Sequence, residues 1–127
     1  MLFTLLRPLI RGAACCRESP LHAEAVARCV STYEATVLVT VPVQLRAFSA
    51  LAPNAFPTLS RVFSSTGPLP AGISDAFRQR HGQSVTEIFG STETGGIAYR
   101  ERNGSSPVAD ELWTPLEDVH VAAGAGG

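Results

Sequence analysis

One short segment, FGSTETGG, places a single carboxylate, Glu93, among hydroxyl side chains and glycines, directly after an apolar run that ends in Phe89. Glycines allow backbone N–H groups to approach a ligand closely, and hydroxyls donate hydrogen bonds to phosphate oxygens. The ring of Phe89 offers a flat apolar face against which a nucleobase can stack. A second segment upstream, SSTGPLP, is also rich in glycine and hydroxyl residues. The two segments together predict a site for a phosphate and a base.

The hydrophobic pattern around these segments predicts alternating helices and strands. Two helices begin at Pro20 and Pro42, and a third follows TGPLP and ends at Gly82, each with apolar residues at helical spacing. The run TVLVTV lacks polar alternation, which is typical of a strand covered on both faces. The first helix is expected over residues 20–33, and the strands over residues 36–41, 61–65 and 84–89.

The order strand, helix, strand, helix, strand predicts an α/β fold of layered βαβ units with a mostly parallel sheet. Ligands of open α/β sheets lie beyond the carboxyl ends of the strands. SSTGPLP follows the strand that contains Val62, and GSTETGG follows the strand that contains Ile88. Both segments are therefore expected at the same edge of the sheet.

Composition limits the number of domains and the classes of function. The chain has 127 residues, which is too short for two ordinary domains. Of these residues, 45% are apolar and 17% charged, a composition that suits one globular core. The net charge is -1 and the ten basic residues form no run, so a nucleic-acid surface is not expected. All ten are arginines, which excludes within this chain the lysine of a Walker loop or of a Schiff base.

Cysteine, histidine and hydropathy patterns point to no metal cluster and no membrane span. The three cysteines lack the spacing of a zinc site and are expected as buried free thiols. The three histidines are far apart in sequence and are expected on helix surfaces or in loops. No apolar run approaches the length of about eighteen residues that a span needs, so a soluble, cytoplasmic protein is expected.

The two segments carry a resemblance to a known family. FGSTETGG with SSTGPLP upstream resembles the aromatic-Gly-x-Thr-Glu motif and adenine loop of the AMP-forming acyl-activating ligases, the acyl-CoA synthetase and adenylation-domain superfamily. The resemblance extends over roughly residues 23–113. It implies a reaction in which a carboxylate attacks the α-phosphorus of ATP, giving an acyl-adenylate that passes its acyl group to CoA or a carrier protein.

The resemblance also implies a role for each matching residue. Phe89 would stack on adenine, Thr92 would contact the α-phosphate, and Glu93 would help to hold Mg²⁺, a hard cation that prefers oxygen ligands. Thr92 and Glu93 would thus be the catalytic residues, because charge builds on phosphate oxygens during adenylation. The remaining nucleotide-binding positions would be Ser65, Thr66, Gly67 and Pro68, which line the adenine, and Gly90 and Ser91 in the motif itself.

Departures from the family pattern bear on activity. Tyrosine is usual at the stacking position, where this chain has Phe89. The lysine-bearing phosphate loop, the ribose-binding aspartate and the small C-terminal domain with its catalytic lysine are missing. Residues 1–127 are therefore expected to be one partial AMP-binding domain of a fatty-acid or other acyl ligase. We expect it to be inactive alone and prone to self-association through uncovered edges and faces.

Other interpretations remain open at the level of sequence. Glu93 could be a solvated turn carboxylate, Phe89 a core aromatic and Thr92 a local cap. The chain could be a non-catalytic nucleotide-binding or interaction remnant of such an enzyme. A serine hydrolase is disfavoured because no G-x-S-x-G segment occurs. Glu87 is expected to face water, and Trp113 is expected to pack against the sheet.

Overall fold

The computed structural model describes residues 7–18, 20–91, 93–102, 112–117, 119–120 and 122, and Thr92 lies outside the described residues. Within these ranges lie four helices and five strands. The helices are α1 (Arg7–Ile10), α2 (Ala23–Thr32), α3 (Pro42–Phe48) and α4 (Ala71–His81). The strands are β1 (Val37–Thr40), β2 (Arg61–Ser64), β3 (Val85–Ser91), β4 (Gly95–Arg102) and β5 (Thr114–Pro115).

Local sequence explains where two of the helices begin or end. α3 starts at Pro42, whose fixed φ and missing N–H suit the first helical position. α4 ends at Gly82, which adopts a left-handed φ of 82° and donates its N–H to the carbonyl of Arg78. The first helix was expected from Pro20, but α2 begins later, after His22, and no side chain caps it.

The five strands form one sheet in the order β1-β2-β3-β4-β5. β1 pairs with β2 and β2 with β3 in parallel, whereas β3 with β4 and β4 with β5 are antiparallel. The predicted α/β class and its two βαβ units are confirmed, and the antiparallel strands extend the sheet at one edge. β3 does not end at Phe89 as expected but continues to Ser91 and turns back into β4.

The core lies on one face of the sheet. β1, β2 and β3 succeed one another in one direction, so two right-handed crossovers place α3 and α4 on the same face. The helices and the strand residues Val62 and Val85 accordingly share one buried cluster, whereas Val39, Phe63 and Ile88 are partly exposed and lie outside it. The expectation that TVLVTV is covered on both faces is therefore wrong for the described part of the chain.

Aromatic rings fill the centre of this cluster. Phe56 has no exposed surface, and its ring centroid lies 5.3 Å from that of Phe48, 6.0 Å from that of Phe77 and 5.0 Å from that of His81. His81 is only 3% exposed, and its Nε2 atom lies 2.9 Å from the carbonyl oxygen of Phe48. The expectation of a surface position for this histidine is wrong, because a backbone partner 33 residues away in sequence accommodates its ring nitrogen.

The cysteines also differ from expectation. Cys15 and Cys16 are exposed in the segment that follows α1, and Cys29 is partly exposed on α2. The Cys29 thiol donates a hydrogen bond to Glu18, which also accepts one from the Tyr33 hydroxyl. These bonds raise the pKa of Cys29 and of Tyr33 and lower the pKa of Glu18. None of the three thiols belongs to the buried cluster.

Candidate nucleotide site at the sheet edge

The loop after β2, which contains Ser65 to Pro70, begins at the carboxyl end of that strand. The Ser65 N–H donates to the carbonyl oxygen of Thr40 at 3.1 Å, so the ladder with β1 continues for one residue beyond the strand. Thr66 then takes a left-handed φ of 73°, and its hydroxyl donates to the Ser65 carbonyl. Thr66, Gly67 and Pro68 are exposed, and a Cβ atom added to Gly67 would meet nothing within 4 Å. The predicted adenine wall therefore has an open surface.

Leu69 anchors the far end of this loop. Its side chain is in the core with 1% of its surface exposed. Its N–H donates to Glu87 Oε1 at 2.8 Å, and its carbonyl oxygen accepts from Arg102 Nη2 at 3.1 Å. Both backbone groups of Leu69 are thus held by side chains of β3 and β4.

Glu87 is buried, which contradicts the expectation that it faces water. It is 2% exposed, and its Oε2 atom accepts from Arg100 Nε at 2.8 Å and from Arg102 Nε at 3.3 Å. Successive strand residues point to opposite faces, so Glu87 shares the core face with the buried Val85 two positions earlier. Sequence reasoning missed a signal in the β3–β4 hairpin. Glu87 on β3 lies opposite Arg100 on β4, and Arg102 follows two residues later on the same face of β4.

The motif segment forms the tip of the β3–β4 hairpin. The register shifts between Phe89 and Gly90, and Gly90 then pairs with Gly96. A Cβ on Gly90 would overlap the Gly95 backbone, so glycine is required by this close approach. The Ser91 hydroxyl accepts from the Thr94 N–H at 3.1 Å and lies 2.9 Å from the Thr94 hydroxyl, which closes the turn.

Glu93 lies exposed in this turn. Hydrogen bonds from its own backbone N–H and from the Ser91 hydroxyl lower the pKa of its carboxyl group below the usual value. The side chain is therefore an ionised carboxylate at neutral pH. Its neighbour Thr92, which the resemblance assigns to the α-phosphate, lies outside the described residues.

Phe89 and Trp113 form an aromatic pair beside the turn. Their ring centroids are 5.5 Å apart at an interplanar angle of 54°, and Phe89 and Trp113 are 53% and 38% exposed. The Arg100 guanidinium carbon lies 4.2 Å from the centroid of the Trp113 ring, a cation–π geometry. Trp113 thus packs against the β3–β4 part of the sheet, and Phe89 is not a core residue.

The strand register brings the two segments to one edge. Ser64, the last residue of β2, pairs with Glu87, and β3 runs on from there to Phe89 and the turn. Leu69 of the first segment contacts Glu87, which lies on β3 two residues before the second segment begins at Phe89. Sequence reasoning located both segments but missed Glu87, Arg100 and Arg102, which join them.

The described residues offer a small set of ligands for a magnesium ion. Among the described residues, no three His, Cys, Asp or Glu side chains gather into a metal-binding group. Mg²⁺ bound to a nucleotide usually takes one or two protein carboxylates together with phosphate oxygens and water. The single exposed carboxylate of Glu93 fits such a shared ligand set better than a cage made by the protein alone.

In the described part of the chain, no helix is long and apolar enough to cross a membrane.

Solved structures share this fold. O-succinylbenzoate coenzyme A synthetase MenE from Bacillus subtilis, in complex with AMP, is 20% identical with a TM-score of 0.72, over 82% of this chain and 22% of that one. A malonyl-CoA ligase with methylmalonyl-CoA and AMP bound is 23% identical with a TM-score of 0.71, over 81% and 24%. The Vibrio cholerae adenylation domain AlmE, in complex with glycyl-adenosine-5′-phosphate, is 23% identical with a TM-score of 0.57, over 68% and 17%.

The chain therefore spans about a quarter or less of each of these relatives. No curated protein sequence matches it at a significant level. The family model of the AMP-binding enzymes matches residues 1–121, nearly the whole chain. With the α/β fold and the two loops at one sheet edge, this match shows that the chain belongs to the AMP-binding enzyme family.

Proposed function

We propose that the chain forms part of the nucleotide site of an ATP-dependent acid–thiol ligase. In the proposed reaction, a carboxylate oxygen forms a bond to the α-phosphorus of ATP as the bond from that phosphorus to pyrophosphate breaks. The acyl-adenylate then gives its acyl group to CoA or to a carrier protein. The observation that carries the proposal is that two loops rich in glycine and hydroxyl groups follow adjacent parallel strands, and that Leu69 of the first loop is bonded to Glu87 on the strand that leads to the second.

Each loop has a separate role in this proposal. Phe89 stacks on the adenine with the exposed part of its ring. The exposed backbone of Ser65, Thr66, Gly67 and Pro68 lines the other side of the base. Gly90, Ser91 and Thr92 bind the phosphate of the nucleotide. The role of Thr92 is proposed from the sequence motif alone.

Glu93 is proposed as the ligand of a nucleotide-bound magnesium ion. Its side chain is exposed and, like other glutamates, ionised at neutral pH, so it offers the charged oxygen ligand that Mg²⁺ prefers. When bound, Mg²⁺ neutralises charge on the phosphate oxygens. Glu93 and Thr92 would then act on the reacting phosphate, whereas Phe89 and residues 65–68 hold the base in place.

The domain assignment and the cellular location are also proposals. We propose that residues 1–127 are a partial AMP-binding domain and that a lysine-bearing phosphate loop and C-terminal domain come from other segments. The acyl pocket would draw on those segments too, so a fatty acid stays one candidate among carboxylic acids. The cytoplasmic location and the self-association through uncovered strand edges and apolar helix faces also stay predictions.

A second candidate function applies to the isolated chain, which would bind a nucleotide without catalysing a reaction. The absence of lysine favours this candidate. We expect no exchange of pyrophosphate into ATP with any of a panel of carboxylates, because no lysine contacts the phosphates or supports adenylation. Turnover well above the blank and dependent on this chain would contradict that expectation.

Binding of AMP provides the direct experiment for the proposed function. Trp113 is the sole tryptophan of the chain and lies 5.5 Å from Phe89, so its emission reports on the proposed adenine surface. AMP is expected to change this emission saturably, whereas ribose 5-phosphate, which has no base, is not. A folded chain whose emission responds to neither compound at millimolar concentration, or equally to both, would contradict the proposal.

A further inference from the structure

A buried carboxylate between two arginines requires an explanation beyond stability. Glu87 is 2% exposed and pairs with Arg100 and Arg102, while Val85, two residues earlier on the same face of β3, belongs to the apolar core. Removing a charge from water has a large cost, and replacement of a buried ion pair by apolar side chains is often neutral or stabilising. Such a group is therefore better explained by the geometry that it imposes on its partners.

The first partner of this carboxylate is the loop that we propose as the adenine wall. Glu87 accepts from the Leu69 N–H, and Arg102 donates to the Leu69 carbonyl. Pro68 and Pro70 have no N–H, so Leu69 carries the only amide in that stretch that can donate such a bond. The near end of the loop is fixed to β1 through Ser65, and the far end is fixed to the hairpin through Leu69.

The second partner is the aromatic pair on the other side of the proposed site. Arg100 donates from Nε to Glu87, and its guanidinium lies against Trp113, which in turn contacts Phe89. A continuous series of contacts thus runs from the Leu69 backbone through Glu87 and Arg100 to the aromatic rings.

We infer that Glu87 is a positioning residue that sets the separation between the adenine-wall loop and the aromatic pair of the nucleotide site. This inference rests on the proposed function in that the two surfaces are taken as the walls of one AMP site. The carboxylate does not touch the nucleotide. It acts through Leu69 on one wall and through Arg100 and Trp113 on the other.

Amide hydrogen exchange tests the inference without relying on nucleotide binding. In the parent chain, the Leu69 amide is expected to be protected because it donates to a buried carboxylate. Glu87→Gln keeps the shape but removes the charge, and its single oxygen faces the two arginines, so that its NH₂ group faces the Leu69 N–H and cannot accept from it. We expect exchange at Leu69 to become at least about tenfold faster, while exchange at Val62 in β2 stays close to that of the parent.

A matched control and a second variant accompany this experiment. Glu101→Gln makes the same chemical change at an exposed position of β4 between the two arginines, and exchange at Leu69 is expected to stay at the parent rate. Arg102→Lys keeps the charge but loses the forked donor that serves both Glu87 and the Leu69 carbonyl. It is expected to accelerate exchange at Leu69 even if Glu87→Gln does not fold.

AMP titrations of the same variants show whether Glu87 positions the nucleotide site or only stabilises the fold. Faster exchange at Leu69, together with a shifted Trp113 emission and an AMP affinity about tenfold lower, would support the inference. Unchanged exchange at Leu69 in a folded Glu87→Gln and in Arg102→Lys would overturn it, and so would faster exchange in these two variants with unchanged AMP affinity. If the parent chain does not bind AMP, the proposed function fails, and exchange at Leu69 with Trp113 emission decides whether Glu87 couples the two surfaces.

Discussion

Two groups of aromatic side chains in this molecule make similar contacts and differ in exposure. In the core, Phe56 contacts two further phenylalanines and His81 at centroid distances between 5.0 and 6.0 Å and has no exposed surface. At the sheet edge, Phe89 lies 5.5 Å from Trp113, but about half of its surface is exposed. Ring contacts alone therefore do not distinguish a structural aromatic from one that is available to a ligand.

The surroundings of the two groups account for the difference. Phe56 contacts Phe48 of α3 and Phe77 of α4 within the buried cluster. Phe89 lies on β3 beyond its pairing with β2, next to a turn made of glycines and hydroxyl residues. The first group stabilises the fold by burial, whereas the second group leaves apolar ring surface open beside polar groups, as expected of a binding surface.

The largest expected effect concerns the core group. Phe56→Ala should lower the free energy of unfolding by about 3–5 kcal/mol, because it removes a fully buried ring and leaves a cavity. Phe89→Ala is the matched control, and we expect it to cost less than about 1 kcal/mol because its ring is half exposed. Urea denaturation of both variants measures the difference. Equal losses would remove the distinction between the two groups.

The next effect compares glycines in the two loops. Gly90→Ala should lower the free energy of unfolding by about 1–3 kcal/mol, because its Cβ overlaps the Gly95 backbone. Gly67→Ala meets open space, so stability should change little. AMP affinity should nevertheless fall for Gly67→Ala, because the added methyl group lies on the proposed adenine wall. Urea denaturation and AMP titration check both variants, and a Gly67→Ala chain with parental AMP affinity would exclude residues 65–68 from the site.

The smallest effect concerns Glu93. Glu93→Gln removes the charge, so it should weaken magnesium-dependent binding of ATP more than metal-free binding of AMP. The pKa of Glu93 is lowered, so the contribution of its hydrogen bonds is present above the ordinary pKa of a glutamate and is lost as pH falls through the lowered value. The difference between parent and variant should therefore stay constant between about pH 6 and 8.

Magnesium titrations in the presence of ATP test this prediction. Ser60 offers a control position, because it is exposed and its hydroxyl donates to the Thr36 carbonyl at the opposite end of the sheet. Ser60→Ala should leave the magnesium dependence at the parent level. If Glu93→Gln also does so at each pH, Glu93 is a solvated turn carboxylate.

The parts of the fold that depend on local sequence could be predicted. The end of α4 followed from Gly82, which adopts the left-handed conformation that a helix end favours. The run of β-branched residues located β1, and Pro42 located the start of α3. The order of these elements then predicted the parallel pairings of β1, β2 and β3.

The parts that depend on distant partners could not be predicted. The pair of glycines after Thr94 was interpreted as a ligand loop, although it also starts the returning strand of a hairpin. Glu87 was expected to face water because its arginine partners lie 13 and 15 residues away across that hairpin. The sequence predicts a surface position for His81 because its partner, the Phe48 carbonyl on α3, lies 33 residues away and cannot be inferred from the sequence of α4.

Chemical-shift mapping of AMP on the ¹⁵N-labelled chain tests the central claim, that the two loops form one nucleotide site, most directly. At millimolar AMP, we predict shift changes concentrated in residues 65–69 and 87–95, retained in Phe89→Tyr and strongly reduced in Phe89→Ala, which loses base stacking of about 1–3 kcal/mol. Changes confined to one of the two loops, changes centred elsewhere in the chain, or an identical map for Phe89→Ala would contradict the claim.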